Sequence, residues 1–250
     1  MHLLPRAKKS TALRKVLLLA SELVCFSLLA VASVFQLPAL AAPVPHPSAS
    51  APAGQPGSSS TSTRADFRNN DVSQAARDTA NWIVDSGDNL GMPFIIIDKA
   101  QARVLVFNAK GQLGGTAPAL LGLAIGDDSV PGIGDRKLSS IRPYERTTPA
   151  GRFVASLARN LKGEEILWVD YKNAIAMHPV VTSNPKERRT ERLASATIKD
   201  KRISYGCINV PADFYRKLVS PAFSDTNGVV YVLPETRSNM SVFASYYEVR

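Results

Sequence analysis

The chain is short of cysteine and of histidine. Two cysteines occur in 250 residues, Cys25 and Cys207, and Cys25 lies within an apolar stretch near the N-terminus. If that stretch is removed, the remaining chain holds one thiol, and an internal disulfide is excluded. The three histidines are His2, His46 and His178, of which the last alone falls in a region that can fold. One cysteine and one histidine do not make a tetrahedral zinc site without carboxylates, and no metal-ligand spacing is visible. Acid is in modest deficit, with 30 Lys and Arg against 21 Asp and Glu. Residues 1–41 carry five of the bases and one acid, which leaves the rest an excess of five positive charges. That excess suits acidic partners such as anionic lipid or wall polymer, or a plain solvated surface, and is too mild to argue for nucleic acid. Internal repeats are absent. The two tryptophans, Trp82 and Trp168, read as core residues rather than sugar-stacking platforms.

What is present begins with a targeting pattern. Arg6, Lys8, Lys9, Arg14 and Lys15 precede an apolar run from Val16 to Leu37, which closes on Ala39-Leu40-Ala41-Ala42. A basic start, an apolar middle and a small-x-small exit read as a secretory signal over residues 1–41. The run is long for a signal, so an uncleaved N-terminal anchor is the alternative, and the one route by which this chain would hold a membrane. Export places the mature chain in the periplasm or at the cell-wall face of the membrane. A lone thiol in such an oxidising setting is a candidate reactive group, with a small buried apolar residue as the competing interpretation.

Residues 42–65 are rich in Pro, Ala, Ser, Gly and Thr and read as a linker. A helical lead-in over 66–91 follows. Its helix is expected from Asp71, as cap, to about Asp85, with Val72, Ala75, Ala76, Ala80, Ile83 and Val84 on one face and Gly87 as the stop. From Phe94 the period changes. Strands are expected at Phe94–Ile97, Arg103–Phe107, Ala117–Ile125, Arg152–Ser156, Ile166–Val169, Ala174–Met177 and Val229–Leu233. The span from Gly126 to Pro149 reads as a long surface loop, and its Pro131-Gly132-Ile133-Gly134 as a turn, since no Lys-Ser/Thr follows to make a phosphate loop. A short helix opens at Pro211 and Asp213 and ends near Val219. Many short strands with few short helices predict a mainly β domain over 92–235, with 236–250 as a C-terminal tail.

The segment Ile203-Ser204-Tyr205-Gly206-Cys207-Ile208-Asn209-Val210-Pro211 carries the chemistry. A small polar residue and a glycine ahead of a cysteine make a tight turn that can present the sulfur, and Gly206 permits a close approach by substrate. Backbone N–H groups around Cys207 would face a developing oxyanion. The turn predicts a partly exposed, acid-shifted thiol, assisted by the positive end of the helix after Pro211. A cysteine nucleophile needs a base, and His178, at the end of a strand, is the candidate.

These residues resemble the L,D-transpeptidase (YkuD-type) catalytic domain family. Ser204-Tyr205-Gly206-Cys207-Ile208-Asn209 is similar to its active-site motif, and Thr148-Pro149-Ala150-Gly151-Arg152-Phe153 to its Thr-Pro-x-Gly-x-Phe element. The Ile95–Asp98 and Val104–Phe107 hairpin resembles its opening strands, and His178 stands where the family places its histidine. The resemblance covers about residues 93–234. It departs from the family at Pro179-Val180, where Gly-Thr is usual after the histidine, and at Tyr205, often a second histidine. The stretch 182–202 is longer than usual and basic, and reads as a lid beside the site or as a solvated insertion.

The resemblance implies a YkuD-like β-sandwich or barrel-like fold and a peptidoglycan L,D-transpeptidase acting on stem peptides. Cys207 would attack the carbonyl of the third stem residue and expel the terminal D-alanine. An amine on another stem, or on a wall-attached protein, would then take the acyl group. His178 would move the protons, held by a backbone carbonyl. Gly206 and Cys207 would supply oxyanion N–H groups, with Ser204, Tyr205 and Asn209 around the substrate. Neither a metal nor an organic cofactor is implied. Two other readings remain open: a carboxypeptidase or hydrolase using the same Cys–His pair with water as acceptor, and a non-catalytic wall-binding module.

Overall fold

The computed structural model describes residues 64–249. The segment read as an export signal, and nearly all of the linker, lie outside the described residues. Ten strands form in chain order: β1 (Phe94–Asp98), β2 (Arg103–Phe107), β3 (Leu113–Pro118), β4 (Leu121–Gly122), β5 (Gly151–Arg159), β6 (Glu165–Asp170), β7 (Ile175–Pro179), β8 (Arg202–Ser204), β9 (Ile208–Val210) and β10 (Gly228–Val232). Two helices matter to the argument, α1 (Gln74–Ser86) and α2 (Arg189–Ala194). Among the described residues no helix is long and apolar enough to cross a membrane.

Eight strands make one sheet in the order β3-β2-β1-β10-β5-β6-β7-β9, while β4 and β8 pair separately. Leu120, just past β3, exchanges both backbone hydrogen bonds with Asn209 of β9, at 2.8 and 2.9 Å. The two edges of the sheet therefore meet, and the sheet curls into a nearly closed, barrel-like body. The mainly β architecture is as expected, and closure also covers what would otherwise be unpaired edges.

Alternation along the strands sorts the core into two parts. Ile95, Ile97, Val104, Val106, Val230 and Val232 point into the curl with Leu167, Met177, Ile208 and Val210. Phe94, Ile96, Leu105, Phe107, Val229 and Tyr231 point the other way, onto Ala76, Ala80, Trp82 and Ile83 of α1. Strands buried on both faces must be apolar at every position, which is why β1, β2 and β10 read as continuous hydrophobic runs. Phe243, from the segment read as a tail, stacks on Trp82 within this second core.

Several expectations change. The cap of α1 is Ser73 rather than Asp71, because Ser73 Oγ accepts from the Ala76 N–H at 3.1 Å while donating to Asp98 at 2.5 Å. Gly87 closes the helix in the left-handed conformation, as expected. The single strand expected at Ala117–Ile125 is broken in two: β3, Leu113–Pro118, begins earlier through two glycines that obscure it, and the short β4 covers Leu121–Gly122. Gly115 has no side chain because Leu218 lies where its Cβ would be, 2.7 Å away. Helical residues run past Val219 to Ala222 through a π-helical turn, Tyr215–Val219. The span from Gly126 to Pro149 is not wholly surface, since Asp127, Ile133, Ile141, Thr147 and Thr148 are buried.

That span is fastened from below by Lys99, whose side chain is 0 % exposed. Its ammonium donates to Gly126 O (2.6 Å), Asp127 Oδ1 (2.7 Å) and Thr148 O (2.9 Å). Asp127 accepts three further hydrogen bonds, from the N–H groups of Glu235 and Thr236 and from the Thr236 hydroxyl. Glu235 also pairs with Arg202 at the start of β8. Burial drives the Lys99 pKa down, while its partners oppose the shift. Burial works against the Asp127 carboxylate as well, but the hydrogen bonds from Lys99, Thr236 and Glu235 outweigh it and hold the pKa far below the usual range. Because the folded pKa is depressed, the stabilisation is complete above the ordinary carboxylate range and is lost progressively as the pH falls through that range into strong acid.

Asp127→Asn leaves the Lys99 cation short of a counter-charge and turns an amide N–H towards donors. Urea unfolding should show a loss of about 3 kcal/mol or more, and a midpoint unchanged from wild type would contradict this account of the network.

Candidate active site

Strands β7 and β9 are parallel neighbours in the register Met177↔Ile208, His178↔Asn209 and Pro179↔Val210. Met177 and Ile208 face the inner core, so alternation turns His178 and Asn209 to the opposite face. Cys207 directly precedes β9, and the alternation continued one residue back puts it on that face, offset by two residues from His178 on strands about 4.8 Å apart. The fold thus sets the candidate nucleophile and the candidate base at neighbouring strands, although 29 residues separate them in sequence.

His178 is half-buried, and its Nδ1 lies 2.8 Å from Pro179 O. A carbonyl can only accept, so Nδ1 carries the proton and Nε2 is left with its lone pair. Burial lowers the His178 pKa, opposed by the Pro179 hydrogen bond, and the Arg189 charge lowers it further. The imidazole is therefore neutral at pH 7. Cys207 is half-buried, with its sulfur 3.7 Å from Ala174 O. Here the expectation of an acid-shifted thiol fails: burial pushes the Cys207 pKa up, although an Ala176 backbone hydrogen bond and the Arg189 charge oppose it. The helix after Pro211 does not reverse this, since its first α-helical piece is only Ala212–Phe214. At rest the pair is neutral thiol and neutral imidazole.

The turn that carries Cys207 is fixed from within. Ser204 Oγ donates to Cys207 O at 2.6 Å and accepts from the Gly206 N–H at 3.1 Å. The Gly206 N–H is thereby occupied, and of the two N–H groups expected at the oxyanion only that of Cys207 remains a candidate. Ser204 and Asn209 are 3 % and 1 % exposed, so they act on the turn rather than on a ligand's surface. Asn209 Nδ2 points back to Cys207 O at 3.4 Å. Tyr205 is half-buried, with the Arg146 guanidinium 4.0 Å from its ring centroid.

Gly206 has a reason other than the one expected. A Cβ there would lie 2.6 Å from Thr147 O and 2.7 Å from Ile175 Cδ1, and its φ is 130°. What approaches Gly206 closely is the protein's own Thr147 carbonyl rather than an open substrate channel. The next residue, Thr148, donates to Gly206 O at 2.8 Å and accepts from the Gly122 N–H at 2.9 Å. The Thr-Pro element thus clamps the cysteine turn, and Lys99 holds the clamp through Thr148 O.

The basic stretch 182–202 divides by function. Lys201 is buried and donates to Arg192 O, Leu193 O and Ser195 O at 2.6 to 3.0 Å, closing the end of α2. Arg202 belongs to the Lys99 network. Arg189 alone reaches the site, with Nη1 donating to Asn209 Oδ1 at 2.6 Å. Nothing in its spacing separates Arg189 from the neighbouring cations. Among the described residues no group of three or more His, Cys, Asp or Glu is gathered so as to hold a metal ion.

Neither a protein-family model nor a curated protein sequence matches the chain. Solved structures similar to it include the helical cell shape determining protein Pgp2 from Campylobacter jejuni, at 14 % identity and TM-score 0.39 over 59 % of this chain and 49 % of that one. An L,D-transpeptidase from Xylanimonas cellulosilytica follows at 16 % identity and TM-score 0.33, over 56 % and 60 %. One from Mycobacterium tuberculosis has 15 % identity and TM-score 0.34, over 56 % and 57 %. Two of the three are L,D-transpeptidases by name. The chain spans about half the length of the first and under two thirds of the others. Overlap at this level carries no argument about activity.

Gly206→Ala should lower stability by about 2 kcal/mol or more, because the turn cannot keep its φ and the Thr147 carbonyl must give way. Thermal melting checks this, and a wild-type midpoint would show that the turn has room the geometry denies.

Proposed function

We propose that the chain is an exported peptidoglycan L,D-transpeptidase that transfers an acyl group through Cys207. The observation that supports this most is the β7–β9 register, which pairs His178 with Asn209, two residues past Cys207, with His178 Nδ1 tied to Pro179 O. The motif resemblance supplies the substrate class, a peptidoglycan stem tetrapeptide at the periplasmic or wall face of the membrane.

The steps balance as follows. His178 Nε2 takes the thiol proton as Cys207 Sγ attacks the carbonyl carbon of the third stem residue. The Cys207 N–H donates to the resulting oxyanion. Collapse breaks the C–N bond, and the imidazolium returns its proton to the departing D-alanine, leaving a thioester. An acceptor amine then attacks the thioester carbon, gives a proton to His178, and displaces the thiolate, which recovers the proton from the imidazolium. If water takes the place of the amine, the product is the free tripeptide. The neutral resting pair suits this sequence, because the ion pair forms only as the sulfur begins to bond.

Purified chain incubated with disaccharide-tetrapeptide should release D-alanine, with dimers joined between third residues marking transfer and free tripeptide marking hydrolysis. Cys207→Ala and His178→Ala should each reduce release by about 10³-fold or more while the fold persists, and the double variant should be little worse than either. Binding of the stem without any D-alanine release would make the chain a wall-binding module instead.

The pH dependence follows from the same environment. Catalysis needs neutral His178, and burial favours the neutral form, so the acid limb of kcat/KM should fall below the ordinary imidazole value of about 6.5. The raised thiol pKa extends the plateau on the alkaline side. An acid limb above pH 7, measured over a full profile, would mean that another group sets the rate.

A further inference from the structure

Arg189 has a position unlike the other cations of its segment. It stands at the first residue of α2, its side chain is 13 % exposed, and it makes two charge-assisted contacts. One is to Asn209 Oδ1 at 2.6 Å, on the face that carries Cys207 and His178. The other is to Glu187 Oε2 at 2.5 Å. Glu187 is itself 34 % exposed and sits in the short 3-10 turn Pro185–Glu187 that leads into α2. Arg189 also lines a cavity of about 350 Å³ in which Arg188 adds a second cation and Glu191 an acid.

A guanidinium offers five N–H donors in a rigid fork that matches a carboxylate. In this structure the fork is held at one end by a neutral amide oxygen and at the other by a carboxylate of the same chain. Asn209 is nearly buried and hydrogen-bonded, so it fixes the guanidinium. Glu187 is the more exposed of the pair, 34 % against 13 % for Arg189, so it is the partner that an incoming carboxylate reaches and replaces. One contact is therefore an anchor and the other is exchangeable.

We infer that Arg189 is the carboxylate clamp of the site: the free C-terminal carboxylate of the donor stem displaces Glu187 from Arg189 and so seats the preceding carbonyl at Cys207. The inference rests on the stem-peptide reading above and assigns the group that recognises the donor's end. Bond lengths agree with the placement. The carboxylate carbon of a terminal residue is three bonds from the scissile carbonyl carbon, within about 4 Å. Asn209, which holds the guanidinium, lies two residues beyond Cys207, roughly 6.6 Å along the strand. A substrate with its carbonyl at the sulfur and its chain running towards Asn209 puts its carboxylate in the interval between sulfur and guanidinium. Glu187 occupies the clamp at rest and keeps the cation from standing unpaired beside a half-buried site. Uncharged or amidated stem ends cannot make the exchange.

The test is direct binding without turnover. Disaccharide-tetrapeptide with a free C-terminal carboxylate, and the same compound as its C-terminal carboxamide, are titrated calorimetrically into Cys207→Ala. The acid should bind about 10-fold more tightly than the amide. Adding Arg189→Gln should abolish the preference. Adding Glu187→Gln, which removes the resident competitor, should tighten acid binding roughly 3- to 10-fold and leave amide binding unchanged. An acid preference that survives Arg189→Gln overturns the assignment. So does a Glu187→Gln chain that binds the acid no better than its parent, and this arm decides the matter even if Arg189→Gln fails to fold. If neither compound binds to any of these chains, the stem-peptide reading itself fails and the clamp falls with it.

Discussion

A buried ammonium governs the geometry of this protein. Lys99 follows directly on β1 and has no access to water, so its charge has to be met from within. The groups that meet it come from distant parts of the chain: Asp127 and the Gly126 carbonyl at the start of a long span, the Thr148 carbonyl at its end, and Glu235 beyond β10. A cation with three hydrogen bonds in a dry interior tolerates little displacement of any partner. The span between residues 126 and 148 is consequently tethered at both ends, despite a composition of glycine, proline and charge that by itself specifies no regular element.

The tether reaches the site through one residue. Thr148 gives its carbonyl to Lys99 and its hydroxyl to Gly206, and Gly206 is the residue ahead of Cys207. The turn is then gripped on three sides: by Thr148 from outside, by Ser204 from within, and by the absence of a Cβ where the Thr147 carbonyl passes. A turn gripped in this way fixes the Cys207 backbone without relying on His178 to hold it. The sulfur lies 3.7 Å from the Ala174 carbonyl, and His178 Nδ1 lies 2.8 Å from the Pro179 carbonyl. Each functional group is oriented by backbone.

Electrostatically the site is quiet at rest. Desolvation disfavours charge on both His178 and Cys207, and the nearby positive charge of Arg189 acts in opposite senses on them, against the imidazolium and for the thiolate. Arg189 itself is balanced by Glu187. A neutral thiol is less open to oxidation than a standing thiolate, because reactivity towards oxidants follows thiolate character.

The sequence by itself determined the elements whose signal is local. The continuous apolar runs at Phe94–Ile97 and Val229–Leu233, and the left-handed stop at Gly87, were legible because burial on both faces and a positive φ each leave a mark in a few adjacent residues. The Ser-Tyr-Gly-Cys turn and the scarcity of cysteine and histidine singled out Cys207 and His178 in the same way. What only the tertiary structure decided is whatever depends on residues far apart. Leu113–Pro118 is a strand because β2 is beside it and Leu218 covers its glycines. Asp127 and Thr148 are buried because Lys99 lies beneath them. The thiol is shifted upward rather than downward because desolvation comes from atoms packed around it, and no window of sequence records those. Arg189 stands apart from six nearby lysines and arginines only through the register that brings Asn209 to it. Side-chain environment is a sum over neighbours in space, and the order of residues along a chain constrains that sum only after the chain has folded.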